Sequence, residues 1–194
     1  QILLKNLKEG SEEYKKFLYI YRESFHMSQL INTLLEFSRS GRVNFQISSI
    51  KEIINNCLFI LNPILEEKNF KIEVKEKDDL YIKTDPILLG QALFNLVKNS
   101  CEAVNYRGKV KLSYEKKGDK LLIFIEDDGP GIEEDLKEKV FQPFFSTKLG
   151  RGTGLGLTIS YAIIKGIGGD LYFMKNQEKG TLAIMEIPYE DSYY

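Results

Sequence analysis

The sequence is poor in several residue types, and each shortage removes something. Of its 194 residues only one is a histidine, His26, and two are cysteines, Cys57 and Cys101. The cysteines lie far apart in sequence, form no metal-ligand pattern, and read as two buried thiols in a reducing compartment. An excess of one charge is also missing. The 27 Lys+Arg face 28 Asp+Glu, for a net charge of -1, so nothing argues for nucleic acid or an anionic membrane surface as a partner. There is no signal peptide, no apolar run long enough to cross a bilayer, and no internal repeat. No initiator Met opens the chain, which begins mid-pattern at Gln1; a fragment of a longer protein is expected. A cytoplasmic location is expected, with membrane tethering of a longer parent left open and no membrane contact within this chain. What remains is ordinary for a soluble globular protein: 43% hydrophobic and 28% charged residues, enough for one full domain and a smaller appendage.

Two regions differ in pattern. "QILLKNLKEG" ends in a helix-stop glycine, and "SEEYKKFLYIYRESFHMSQLINTLLEFSR" opens with Ser11 as a plausible N-cap. Phe17, Ile20, Met27, Ile31 and Leu34 recur at helical spacing beside a stripe of Tyr14, Leu18, Tyr21, Phe25 and Leu35. So wide an apolar face suits a bundle, and a hairpin that cannot bury both faces is expected to dimerise. After the break at "SGRVNF" the pattern is mixed. "SSIKEIINNCLFILNPILEEKN" is predicted as a helix with Ser48 or Ser49 near its cap. "FKIEVKE" and "LYIK" are predicted as strands. "TDPILLGQALFNLVKNSCEAV" is predicted as a helix capped by Asp85, with Pro86 in its first turn. "KVKLSYE" alternates, and "KLLIFIED" is a continuous apolar run, as in a central strand covered on both faces. About twenty Gly- and Pro-containing residues follow, a length often functional. "GTGLGLTISYAIIKGIGG" is predicted as a helix, "DLYFMK" and "TLAIMEIP" as strands. The sum is an α/β sandwich with at least three helices on one face of a sheet.

Three stretches carry chemistry. On "QALFNLVKNSCEA", Gln91, Asn95, Asn99 and Glu102 share one helix face, with Leu89, Ala92, Leu93, Leu96 and Ala103 largely opposite. Such a stripe is often only a solvated face, but an Asn oxygen is also a suitable hard ligand for Mg²⁺. In "IEDDGPGI", Asp127 follows directly on a buried strand, where a carboxylate is costly without a partner such as a purine amino group. Gly129 and Gly131 let backbone approach a ligand closely. In "GRGTGLGL", Gly150, Gly152, Gly154 and Gly156 precede a helix whose first N–H groups would form an anion site. The spacing is neither G-x-G-x-x-G with a ribose acid nor G-x-x-x-x-G-K-[ST], and no His-Arg-Asp accompanies "DDG".

In this order the three resemble the ATP-binding domain of bacterial sensor histidine kinases, in the GHKL superfamily that also holds DNA gyrase B. "FNLVKNSCEAV" is similar to the N box, "DDGPGI" to the G1 box, "FQPFF" to the F box, "GTGLGL" to the G2 box, and "KGTLAIMEIP" to the closing strand. The resemblance implies the Bergerat ATP-binding fold over residues 43–194: α+β, a two-layer α/β sandwich with a mixed sheet. It implies a partial dimerisation and histidine-phosphotransfer hairpin over residues 1–42, with the first helix truncated. ATP or ADP with Mg²⁺ is the implied ligand. Asn99 would hold the metal, with Asn95 beside it near the phosphates. Asp127 would accept the adenine amino proton. Gly129, Gly131, Ile132 and Thr181 would line the base, and Glu102 and Ala103 complete the N-box contacts. Residues 132–151 would be the ATP lid, anchored on apolar surface by Phe141, Phe144 and Phe145. Thr147, Lys148, Arg151, Gly152, Thr153, Gly154, Leu155, Gly156 and Leu157 would surround the phosphates, Lys148 and Arg151 supplying charge. Many members carry Lys or Arg where Glu102 stands. Glu102 cannot meet phosphate without a bridging metal or water, and Lys98 reads as a surface lysine.

Asn95 separates branches of the superfamily. The ATP-hydrolysing members and the anti-sigma-factor serine kinases carry Glu there as a general base. An amide has no usable basicity, which suits the histidine kinases and disfavours a chaperone-like ATPase. The implied function is transfer of the γ-phosphate to a histidine and onward to a response-regulator receiver domain, with a homodimer formed through the hairpin. A pseudokinase that senses nucleotide and dimerises without phosphotransfer is the alternative. His26 lies on the second hairpin helix with no Pro five residues on, so the acceptor is expected outside this chain, and the fragment is expected to bind nucleotide without autophosphorylating.

Overall fold

The computed structural model describes residues 12–13, 43–75, 78–146, 154–176 and 179–190. Val43–Tyr194 form one compact unit, described here by itself. The hairpin reading of residues 1–42, His26 included, lies outside the described residues, apart from Glu12 and Glu13, which are helical.

The unit opens with β1 (Gln46–Ser49), which leads straight into α1 (Ile50–Glu67). Ser49 caps α1. Its Oγ accepts from the Glu52 N–H at 3.0 Å and donates to Asp79 Oδ2 at 2.7 Å. Ile50, Ile53, Ile54, Cys57, Leu61 and Leu65 recur at helical spacing and are buried. Pro63 inside α1 is tolerated because it sits on the exposed side, where the carbonyl it leaves unbonded can meet water. After β2 (Glu73–Val74), β3 (Tyr81–Thr84) turns back to pair antiparallel with β1, from Gln46↔Thr84 to Ser49↔Tyr81.

Helix α2 (Pro86–Ala103) is fixed by Asp85. One carboxylate oxygen of Asp85 accepts from the N–H groups of Ile87 and Leu88, both at 3.1 Å; the other accepts from Asn44 N–H at 3.0 Å. Pro86 takes the first helical position, where a missing N–H costs nothing. Leu89, Ala92, Leu93, Leu96 and Val97 turn into the core.

The main sheet comprises β2, β4 (Val110–Lys117), β5 (Lys120–Asp127), β7 (Thr181–Pro188) and β6 (Asp170–Lys175), in that spatial order. The β2–β4 pair is parallel and the others antiparallel, so the sheet is mixed. Helix α3 (Gly156–Gly166) lies beside α2 and packs on β6 and β7. One core cluster joins all three helices to the inward residues of the sheet, among them Leu112, Ile123, Ile125, Leu171 and Met185. This is the two-layer α/β arrangement expected.

Three local expectations change. β1 was not foreseen: four residues with one apolar side chain show no alternation, and the partner strand lies some thirty residues on. "FKIEVKE" shrinks to Glu73–Val74, because Phe70 folds back under the end of α1. There its N–H donates to Leu65 O at 2.8 Å and its ring meets Tyr106 edge-on at 5.8 Å. β5 is central, but helices cover one of its faces. Leu121, Ile123 and Ile125 join the core cluster; Leu122 and Ile184 are buried outside it, sheltered by neighbours on the sheet's reverse face. The apolar run came from hydrophobic residues serving both sides of a half-open strand.

Both thiols are buried and unpaired, and burial pushes Cys57 and Cys101 each up to about 12. Among the described residues no helix is long and apolar enough to cross a membrane.

Because the Asp85 carboxylate joins the start of α2 to the chain entering β1, Asp85→Ala is expected to cost about 1–2 kcal/mol. The check is a lowered urea midpoint with an unchanged slope.

Candidate functional site

The site forms where four segments distant in sequence converge: the second half of α2, the turn after β5, the start of β7 and the first turn of α3. Its centre is Asp127, only 4% exposed at the end of the central strand. Oδ1 accepts from the N–H of Gly129 at 3.0 Å and of Thr181 at 3.2 Å. The Ser100 hydroxyl adds a third hydrogen bond to the carboxyl. Burial still wins over these bonds and lifts the carboxyl above its ordinary value of 3.8. Such a group is poised to accept from a ligand N–H.

Glycine is required around it. At Gly129 a Cβ would lie 2.9 Å from Asp127 Oδ1 and 3.3 Å from the Ala103 Cβ. At Gly180, φ is +96° and a Cβ would fall 2.0 Å from Asp127 O. That carbonyl also accepts from Asn176 Nδ2 at 3.1 Å, which draws the β6–β7 connection against the site. Gly131 (φ +85°) faces the Gly180 carbonyl. The neighbouring Asp128 has a different job. Its Oδ1 accepts from Lys109 N–H at 2.7 Å, fastening the entry to β4.

Along α2, Asn95, Asn99 and Glu102 are half-buried on one face. Ala103 is also half-buried, against Gly129, and so lies on the ligand side rather than with Leu89 and Leu93. Asn95 Nδ2 donates to Gly156 O at 3.4 Å, joining α2 to the first turn of α3. Lys98 Nζ lies 3.9 Å from Glu102 Oε1. Among the described residues no group of three or more His, Cys, Asp or Glu could hold a metal. The side-chain oxygens of Asn95 and Asn99 are of the kind a hard cation accepts when water and phosphate complete its shell.

Leu155, buried, stands at the N-cap of α3 without a side-chain acceptor, so no side chain of the cap competes for the first-turn N–H groups. Gly154 (φ +67°) is pressed onto the F-box backbone, where a Cβ would meet Phe144 C at 2.5 Å. Phe141 stacks on Phe173 with centroids 5.3 Å apart and on Tyr161 at 4.7 Å, an apolar anchor as expected. Phe145, Ile132 and Leu157 are half-buried, and Thr181 is buried. Phe144 departs from expectation. Its φ of +65° turns the side chain outward and leaves it 75% exposed, so it is not buried as an anchor would be. Thr147, Lys148, Arg151, Gly152 and Thr153 lie outside the described residues.

Comparison with known proteins agrees with this arrangement. A family described as histidine kinase-, DNA gyrase B- and HSP90-like ATPase matches residues 84–191. The chain belongs to this family. Within it, the unit is a catalytic ATPase domain of the histidine kinase type. Sporulation kinase B of Bacillus subtilis (strain 168) is 29% identical over 181 residues, covering 93% of this chain and 42% of the relative. The histidine kinase ThkA, solved in complex with the response regulator protein TrrA, aligns with a TM-score of 0.78 at 29% identity, over 98% of this chain and 55% of that one. Full-length ShkA, solved in complex with AMPPNP, aligns with a TM-score of 0.75 at 26% identity, over 96% of this chain and 41% of that one. The chain spans about two fifths of the length of the first curated relatives it matches.

In this ATPase domain, Ser100, Gly180 and Asn176 were not singled out from sequence. Ser100 had a signal: a serine on the buried stripe of α2 needs a partner. Gly180 could have been suspected from its place before the last strand. Asn176 had none.

The raised carboxyl of Asp127 gives a signed prediction. A folded-state value above the unfolded one means that ionisation costs stability, a cost absent below about pH 3.8 and complete once pH exceeds the folded value. Asp127→Asn is therefore expected to melt higher than the parent at pH 7, with the gap closing on acidification. Melting curves between pH 4 and 7 check it.

Proposed function

We propose that this chain is the catalytic core of a sensor histidine kinase, binding Mg-ATP and delivering the γ-phosphate to a histidine. From there it would pass to an aspartate on a response-regulator receiver domain. The observation that carries the reading is Asp127: a buried carboxylate with raised proton affinity, held at the end of the central strand by two backbone N–H groups and flanked by glycines that let backbone pack closely against it.

In this reading the Asp127 carboxylate accepts from the adenine amino group, and Gly129, Gly131, Ile132 and Thr181 border the ring. The uncapped first turn of α3 receives phosphate oxygens. Asn99, with Asn95, would hold Mg²⁺, which when bound supplies charge neutralisation on the phosphates. Lys148 and Arg151 add positive charge. Asn95 stands where a hydrolytic relative has a base. An imidazole acceptor is nucleophilic when neutral, so positioning suffices: a nitrogen–phosphorus bond forms as the bond to the ADP oxygen breaks.

Residues 1–42 are read as a dimerisation hairpin that makes a homodimer, and residues 43–194 as the catalytic domain. His26 is not the acceptor, and in this reading the acceptor is a histidine outside these residues. The protein is placed in the cytoplasm. The family match and the AMPPNP-bound ShkA support the nucleotide in this reading, and the ThkA–TrrA complex supports the response regulator.

The test is to mix the chain with radiolabelled ATP, Mg²⁺ and a separate hairpin carrying an acceptor histidine. Label is expected on that hairpin, in acid-labile form, and not on the chain itself. Asn99→Ala should reduce transfer by at least tenfold, the scale on which a lost metal or phosphate contact acts. Nucleotide binding without labelling would instead make the chain a nucleotide-sensing module, and labelling abolished by His26→Ala would overturn the acceptor assignment.

A further inference from the structure

Lys98 is the one cation in α2, and its pairing places it at the nucleotide face. At 100° per residue it lies about 40° around the helix from Glu102 and about 60° from Asn95. Its Nζ is 3.9 Å from Glu102 Oε1, with the two side chains 43% and 32% exposed. That separation is too long for a hydrogen bond. The lysine is drawn toward the carboxylate without being locked to it.

The charge on this face needs explaining if the nucleotide reading above is right, and the inference rests on that reading. Glu102 presents a carboxylate on the same stripe as Asn95 and Asn99. A polyphosphate approaching the stripe meets a like charge, partly buried and therefore poorly screened. An ammonium one turn earlier offsets it. Because lysine has a long flexible stem, the same group can swing from the carboxylate to a phosphate oxygen without backbone movement.

We infer that Lys98 is a phosphate-recognition residue, which neutralises Glu102 in the free protein and turns to the phosphate chain when nucleotide binds. The pair takes the place of a single basic residue at position 102. An ordinary surface i,i+4 pair would contribute a little to helix stability and nothing to ligand choice.

The two roles are separated by comparing ATP, with Mg²⁺ present, against adenosine, which has the base but no phosphates. Equilibrium binding to the full chain is measured for the parent, Lys98→Ala, Lys98→Arg and Glu102→Gln. Lys98→Ala is expected to weaken ATP roughly threefold or more while leaving adenosine unchanged, and the loss should shrink at high salt. Lys98→Arg should restore ATP affinity. Glu102→Gln should tighten ATP, the opposite sign, so a folding defect cannot imitate the result. Unchanged ATP affinity in Lys98→Ala, an equal fall for adenosine, or weaker ATP binding by Glu102→Gln would each overturn the inference. A parent that binds adenosine and ATP while the variants show no difference removes this inference alone. A parent that binds neither removes the nucleotide reading as well.

Discussion

One buried carboxylate organises this domain. Asp127 ends the strand with the most neighbours, where removal from water is expensive for a charge. The surroundings meet that expense with hydrogen bonds from Gly129, Thr181 and Ser100, each from a different segment. They do not meet it fully, because the carboxyl retains a raised affinity for protons. The unmet part is what a ligand donor can satisfy. The glycines at 129 and 180 follow from the same constraint, since backbone must come within contact of the Asp127 carboxylate and carbonyl.

Around that centre the parts differ in how they are held. Asn95 fixes the start of α3 to α2, so the anion-facing turn belongs to the rigid helix layer. Gly154 presses the F box against the same turn, while Phe141 sits in an aromatic stack with Tyr161 and Phe173. The buried carboxylate is thus built on the sheet, and the open first turn of α3 on the helices. Asp128 shows how closely the work is divided: one residue from the recognition carboxylate, it only closes the loop into β4.

Much of this could be read from the chain. Helix caps were legible because Ser49 and Asp85 carry local chemistry that acts within three residues. The central strand showed itself by its apolar run, and Asp127 by following directly on that strand at the start of a Gly- and Pro-containing turn. Features that depend on distant partners were not legible. β1 gains its identity only from β3, Phe70 leaves its strand to seal α1, and Asn176 reaches Asp127 across 49 positions. Phe144 illustrates another limit. The F-box resemblance marked it as an anchor, but backbone φ sends it outward, and φ at a non-glycine residue has no signature in composition.

The hydrogen bond from Thr181 to Asp127 spans 54 positions. During synthesis from the N-terminus, Asp127 and Gly129 leave the ribosome well before the second backbone donor to the carboxylate exists. Until β7 is added, β5 is an unpaired edge on that side and Asp127 lacks one of the three donors that offset its burial. The donor set of this carboxylate is therefore incomplete until β7 emerges. The helices can form early from local signals, but the surroundings of Asp127 are completed only when β7 inserts between β5 and β6.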